Sequence, residues 1–314
     1  MIHNLVFSFQ QVAPVFLIVF LGLFLKEKRW INDSFVDTAS KIVFRIALPA
    51  LCFLEIAKTD FNTMFNGTII AFGLVSTLVV FVLCWMLSLP LLSEGASRGS
   101  FIQGCFRSNY AIIGFAVVFN LFGQTGLAKA AALLAFVMPL YNVLAVIALT
   151  VPRHGGGVSL RKMALDIGTN PLIIAVLFAV PISFFRVPMH KVVTTTVNYL
   201  SSLTLPLALI GIGGALDIRS AKRRLKPAVT ASLIKIFLTP LVFTPLAFLA
   251  GVRGENLGVL FILWACPAAI ASFIMAKAME CDADLAADIV LITTLASVVT
   301  MALGIFVLKT AGLI

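Results

Sequence analysis

Leu263-Trp264-Ala265-Cys266-Pro267-Ala268-Ala269-Ile270-Ala271-Ser272 places a proline midway along an apolar stretch bounded by Glu255 and Asp282. Proline donates no backbone N–H and its ring collides with the preceding turn, so a helix passing this point is kinked or broken. In lipid the freed carbonyls need protein or water partners, and irregular backbone at such depth is buried in protein or lines a cavity. A second break facing this one would turn a kink into half of a binding site.

The surroundings of that stretch are those of a membrane protein. Of 314 residues 61% are hydrophobic and 11% charged, and the mean hydropathy is +1.10, more apolar side chain than a soluble domain can bury. A net charge of +10 would suit nucleic acid, but the Lys and Arg residues fall mostly in short loops between apolar runs and read as topology signals. The five cysteines (52, 84, 105, 266, 281) and three histidines (3, 154, 190) show no paired spacing for a metal, so neither metal nor cofactor is expected. The first apolar run has no basic stretch before it, so no cleavable leader is expected. No GxSxG elbow, phosphate-cradling loop or intramembrane metalloprotease pair is present, which argues against an enzyme.

A spanning helix needs about 20 apolar residues. Ten stretches qualify, at 10–26, 39–57, 68–92, 100–122, 126–151, 170–186, 194–216, 227–250, 256–279 and 285–309. One set of alternate loops, with Arg107 counted in it, holds fourteen Lys and Arg, the other six. The excess predicts both termini outside and the glycine-containing linker 152–169 in the cytoplasm.

That linker divides 1–151 from 170–314, and the halves echo each other. Ala47-Leu48-Pro49-Ala50-Leu51 falls on Thr204-Leu205-Pro206-Leu207-Ala208 at an offset of 157, which also places Asp60 on Asp217. At 158, Ser108-Asn109-Tyr110-Ala111-Ile112 falls on Cys266-Pro267-Ala268-Ala269-Ile270, and Phe115 on Phe273. Five segments per half invert the second copy, so the sequence predicts an all-α membrane protein of ten helices in two inverted five-helix repeats, with helices 4 and 9 interrupted and crossing. Two helix N-termini meeting at the midplane, each with unsatisfied N–H groups and a positive dipole end, suit a carboxylate.

The motifs Ala47–Leu51, Asn109-Tyr110-Ala111-Ile112-Ile113-Gly114, Pro206–Leu216 and Pro267–Phe273 through Lys277, taken in order, resemble the auxin efflux carrier family, which includes plant PIN carriers and bacterial malonate or malate permeases. The resemblance covers essentially the whole chain. It implies a scaffold domain, a transport domain holding the crossed helices, elevator-type alternating access, homodimerisation and a place in the bacterial inner membrane. Plant members carry a proline just before the fourth-segment Asn where this chain has Ser108, so the fourth break is expected from Ser108 and Asn109 competing for backbone hydrogen bonds.

Ser108, Asn109, Tyr110, Cys266, Pro267 and Ala268 are therefore the candidate substrate-binding positions, with Asn142 of the Tyr141-Asn142 pair as a further polar group in the fifth segment. Each also has a plainer reading, because Ser and Asn commonly join transmembrane helices and Pro267 alone is a kink. Arg45, Glu55, Lys235, Lys277 and Asp288 are the ionisable residues counted inside apolar segments, and such residues are functional candidates. By position none sits at the crossing. Lys277 is placed to attract anions to the inner mouth, and Glu55 to serve coupling. The expected activity is transport of a small organic anion, such as malonate, malate or an auxin-like acid. A sodium-coupled symporter of the bile-acid type and a ligand-binding receptor without transport are the alternatives. Lipid is the expected surrounding and nucleic acid is not an expected partner.

Overall fold

The computed structural model describes residues 2–58, 66–154, 169, 171–215 and 225–314, and every regular element among them is helical. Residues 155–168 of the linker, Asp60 and Asp217 of the repeat, the Glu55 side chain, and Arg219, Lys222, Arg223 and Arg224 lie outside this set. The helices are α1 (Ile2–Glu27), α2 (Asp33–Ile42), α3 (Leu48–Lys58), α4 (Gly67–Leu91), α5 (Gly95–Phe106), α6 (Phe115–His154) and α7 (Pro171–Phe184). They continue as α8 (Lys191–Ser202), α9 (Thr204–Ala215), α10 (Leu225–Leu233), α11 (Thr239–Leu249), α12 (Gly254–Ala265), α13 (Ile270–Ala278) and α14 (Ala283–Thr310). Wide π-helical turns occupy Val43–Ala47, Tyr110–Gly114 and Ile234–Leu238.

Among the described residues six runs are long and apolar enough to cross a membrane: Val6–Glu27, Gly67–Leu91, Tyr110–Pro152, Lys191–Ala215, Leu225–Leu249 and Ala283–Thr310. Six rather than ten appear because several predicted segments are interrupted or merged. The ninth is cut at Pro267 into α12 and α13. The second carries Lys41 and Arg45 and a π turn. The predicted fourth and fifth run together, yet 43 residues would measure roughly 65 Å at 1.5 Å per residue, about twice a bilayer core. Gly123, at φ 64° and ψ −150°, breaks that run. Gly99 in α5 lies so close to α6 that an added Cβ would meet the Ala148 carbonyl oxygen at 2.7 Å, so the chain doubles back between them.

Local chemistry sets the starts. Asn32 accepts from the Phe35 N–H at 2.8 Å, and Asn66 accepts from the Thr68 N–H at 3.0 Å, capping α2 and α4 as short polar side chains do. Asp282 caps α14 through the Leu285 N–H at 3.0 Å and takes the Ser97 hydroxyl at 2.7 Å, tying the starts of α5 and α14 together.

The packing falls mainly into two groups, bridged where α1 lies on α14 and α3 on α6. α1 lies along α9, and α3 packs on α7 and α8. Between α1 and α9 the backbones touch: a Cβ on Gly213 would meet the Val19 carbonyl oxygen, and one on Gly22 the Ile210 carbonyl oxygen. Close approach through small residues is how helices associate in lipid, where apolar burial gives no drive. The second group joins α4, α5, α6 and α10 to α14, with α5 against α6 and α14, and α12 against α6 and α11. The site lies where the two groups meet.

Candidate functional site: the crossing of two broken helices

The breaks at Arg107–Asn109 and Cys266–Ala269 meet and pair as two short antiparallel strands would. Ser108 faces Ala268, the Asn109 N–H donates to the Pro267 carbonyl at 2.8 Å, and the Ala269 N–H donates to the Arg107 carbonyl at 3.0 Å. Each break thus supplies partners for backbone groups the other leaves open, which irregular backbone at membrane depth requires. The Asn109 carbonyl in turn accepts from the Ile113 and Gly114 N–H groups at 3.1 and 3.3 Å, starting the next helix.

The carbonyls that Pro267 frees are capped in sequence. Ile262 keeps a backbone partner in the Cys266 N–H at 2.9 Å. Leu263, four residues before the proline, takes the Ser108 hydroxyl at 2.6 Å. Trp264 takes the Lys235 ammonium at 2.7 Å. The Ala268 N–H goes to the Thr293 hydroxyl of α14 at 3.1 Å. Ser108 does not compete for its own helix's bonds, as the sequence suggests; its hydroxyl replaces the N–H that Pro267 lacks.

On one side of the crossing lies a cavity of about 130 Å³, lined by Arg107, Ser108, Asn109, Ala111, Ile112, Ala269, Ile270 and Ala271 from the breaks, by Leu134, Met138 and Tyr141, and by residues of α2, its π turn and α9. Ala111–Ile112 and Ile270–Ala271 belong to the first turns after the two breaks, where backbone N–H groups lack intrahelical acceptors. Two side chains add to that positive field. Asn109 is 6% exposed, and its amide nitrogen has no hydrogen-bond partner. Arg107 is also 6% exposed, with one guanidinium nitrogen on the Asn142 side-chain oxygen at 3.0 Å and another on the Met275 sulfur at 2.7 Å. Those acceptors are neutral, and among the described residues no carboxylate pairs with it. A buried cation without a counter-charge is costly, and here the guanidinium, an open amide and two helix starts share one small space.

Arg107 corrects the sequence reading twice. The charge pattern assigns it to the loops that set topology, and the count of ionisable residues leaves the crossing empty of them. It sits inside the predicted 100–122 segment, two residues before Asn109, and that position is the signal that could have found it. Lys235, one of the ionisable residues of the apolar segments, is 1% exposed and bonded to the Trp264 main-chain carbonyl.

Of the sequence candidates, Ser108 and Asn109 line the cavity. Asn142 lies behind Arg107 and orients it. Tyr110 is fully buried, its hydroxyl on the Val259 carbonyl at 3.1 Å and its ring edge-on to Phe115. Cys266, Pro267 and Ala268 form the pairing itself, away from the cavity wall. Lys277 is exposed with its ammonium 6.0 Å from the Phe273 ring centre. Gly211 faces the cavity with open space where a Cβ would be.

A second cavity, of about 400 Å³, lies on the same seam between the two groups of helices, lined by Pro14, Leu51, Asn120, Gln124, Asn198, Ser201 and Ser202 among others. It carries polar groups and no basic side chain.

A protein-family model described as "Membrane transport protein" matches residues 7–154 and 157–305. The chain belongs to this membrane transport family. It is the family that the motifs of the second, fourth, seventh and ninth segments resemble. The transporter chain is 24% identical over 306 residues to an uncharacterized transporter of Methanothermobacter thermautotrophicus, covering 96% of this chain and 98% of the relative. It is 25% identical over 306 residues to an uncharacterized transporter of Methanocaldococcus jannaschii, covering 93% and 96%. It is also similar, at 23% identity over 315 residues and 96% of both chains, to a protein of Rhizobium meliloti described as a candidate malonate transporter.

Proposed function

We propose that this transporter carries small organic anions, binding the carboxylate at the crossing between Arg107, Asn109 and the two helix starts. The observation that carries this reading is the buried, acid-free Arg107 beside the unpartnered Asn109 amide in the wall of a cavity. An anion would neutralise the guanidinium and accept from the amide, two charge-assisted contacts of the kind worth most in a dry site. About 130 Å³ is small beside the roughly 300–1,000 Å³ of pockets for drug-sized ligands, which favours a short dicarboxylate such as malonate over an aromatic acid. The relative described as a candidate malonate transporter supports the same class.

The route across the membrane follows from two cavities on one seam. In this reading ten segments form two inverted repeats, and the break at Leu203 between α8 and α9 corresponds to the π turn Val43–Ala47 at the repeat offset. Helices α1, α2, α3, α7, α8 and α9 form a fixed scaffold, stiffened by the backbone contact of α1 with α9. The remaining helices move against it, carrying the crossing from the first cavity to the second. Basic residues Lys26, Lys28, Arg29, Lys41 and Arg98 support, by the charge rule, a first cavity toward the cytoplasm with both termini outside. The test is uptake of labelled malonate by liposomes containing the protein. Wild-type protein should accumulate label, and a folded Asn109→Ala variant should not. Normal uptake by that variant would remove the site.

A further inference from the structure

We infer that the groove between α11, α12 and α14 binds one phospholipid with an anionic headgroup, its acyl chain lying in the groove and its phosphate on Arg253. The inference goes beyond the transport reading and does not depend on it.

The groove has a volume of about 440 Å³, and Phe237, Leu241, Phe248, Leu303, Val307 and Leu313 are among its walls. Helices α11 and α14 belong to runs that are long and apolar enough to span a membrane, and Phe237, Leu241, Leu303 and Val307 are exposed. The groove therefore opens sideways, toward lipid. Along α11 its lining runs from Ile236 to Phe248, roughly 18 Å at 1.5 Å per residue. One leaflet of a 30 Å hydrocarbon core measures about 15 Å, so the length suits a single acyl chain of one leaflet.

Hydrocarbon alone would leave this groove unsatisfied. Thr244 is 8% exposed and lines it, as does Thr300, and neither hydroxyl has a hydrogen-bond partner. A helical threonine can return its hydroxyl to the carbonyl one turn back, as Thr293 and Thr294 of α14 do at 2.7 Å each. A buried hydroxyl that makes no such bond is costly in apolar surroundings. Thr244 stands one turn before Phe248 at the groove's end, and a phospholipid carries ester carbonyls just inside its phosphate. The Thr244 hydroxyl is placed to donate to one of them.

Arg253 supplies the charge at that end. Its guanidinium lies over the Phe248 ring, 3.5 Å from the centre, and its Nη1 donates to the carbonyls of Phe248 and Val252, the latter at 2.9 Å. The next residue, Gly254, donates its N–H to the Leu313 carbonyl at 2.9 Å, which ties the loop carrying Arg253 to the groove wall. Among the described residues Nη2 and Nε have no partner, and no carboxylate pairs with the side chain. Glu255, two positions on, is committed to Lys129 at 2.6 Å. Two open N–H donors on one edge of a guanidinium match two phosphate oxygens. A headgroup carrying an ammonium would need an acid beside the phosphate, and the acid nearest in sequence is already paired, so the charge pattern favours a headgroup that is negative overall, as in phosphatidylglycerol.

The experiment titrates purified, delipidated protein in detergent with phosphatidylglycerol, its diether analogue or phosphatidylcholine. Melting temperature is the readout, because a ligand that binds only the folded state raises it. Wild-type protein should gain a few degrees from phosphatidylglycerol, less from the diether lipid and little from phosphatidylcholine. Arg253→Gln should lose the preference for phosphatidylglycerol, and Arg253→Lys should keep part of it. Thr244→Val, which removes the hydroxyl and keeps the shape, should melt no lower than wild type without lipid and should gain equally from the ester and diether lipids. Val307→Trp, which fills the groove, should lose the response to all three. Equal gains from phosphatidylglycerol and phosphatidylcholine in wild-type protein, the mark of bulk lipid only, would overturn the inference. So would a full phosphatidylglycerol response in a folded Arg253→Gln or Val307→Trp variant. If a variant does not fold, the wild-type comparison still decides. None of these readouts requires flux, so absence of malonate uptake would contradict the transport reading and leave the groove to be judged by melting alone.

Discussion

Arg107 is held by a thioether and a neutral amide, and that choice of partners has an energetic consequence. Breaking a matched ion pair strands a buried charge and costs stability, whereas removing a charge that lacks a partner relieves a desolvation cost. Arg107→Gln should therefore leave the melting temperature of the ligand-free protein unchanged or raised, and reduce the stabilisation given by malonate. Since a hydrogen bond to a charged group is worth about 1.5–3 kcal/mol, binding should weaken by about ten- to a hundredfold, measurable by calorimetry on the detergent-solubilised protein. Ser108 behaves in the opposite sense. Its hydroxyl satisfies the Leu263 carbonyl, so Ser108→Ala leaves a buried acceptor open and should cost about 1–3 kcal/mol of stability, seen as a lowered melting temperature. The two neighbouring substitutions thus separate a residue that serves the ligand from one that serves the break.

The glycines of α9 make the same distinction for an element. Gly213 lies against the backbone of α1, while Gly211, two residues away, opens onto the cavity. Gly213→Ala should destabilise by about 1–3 kcal/mol through overpacking, lowering the melting temperature, and Gly211→Ala should not. Gly211→Leu should keep the fold and lose malonate binding by filling the cavity. The breaks themselves are legible in the amino-acid sequence: Pro267 announces one, and the repeat offset points to Ser108 and Asn109 for the other. What completes them is not. The partners of Arg107 stand 35 and 168 positions away, and the carbonyl taken by Lys235 is 29 away, so no local periodicity links them. Gly123 is legible as well, because it falls in the gap between the fourth and fifth predicted segments, 100–122 and 126–151.

At the scale of the whole molecule, the account needs the seam between scaffold and moving helices to open alternately at its two cavities. Ser40 lines the first cavity and Ser202 the second, and the native thiols are buried except for half-buried Cys281. In a background with Cys281 replaced by serine, a cysteine at position 40 should react with a membrane-impermeant thiol reagent applied from the cytoplasmic face. One at position 202 should react from the outer face, and saturating malonate should change the two rates in opposite directions. Equal accessibility of both positions from one face would contradict the proposed orientation and the alternating route.

The central claim is that the crossing holds a carboxylate on Arg107 and Asn109. The most direct measurement is the malonate-induced melting shift of purified protein, compared among wild type, Arg107→Gln and Asn109→Ala. The account predicts a concentration-dependent upward shift for wild-type protein and, at the same malonate concentrations, a much smaller one for either variant, both variants remaining folded. A shift of wild-type size in Arg107→Gln would contradict it.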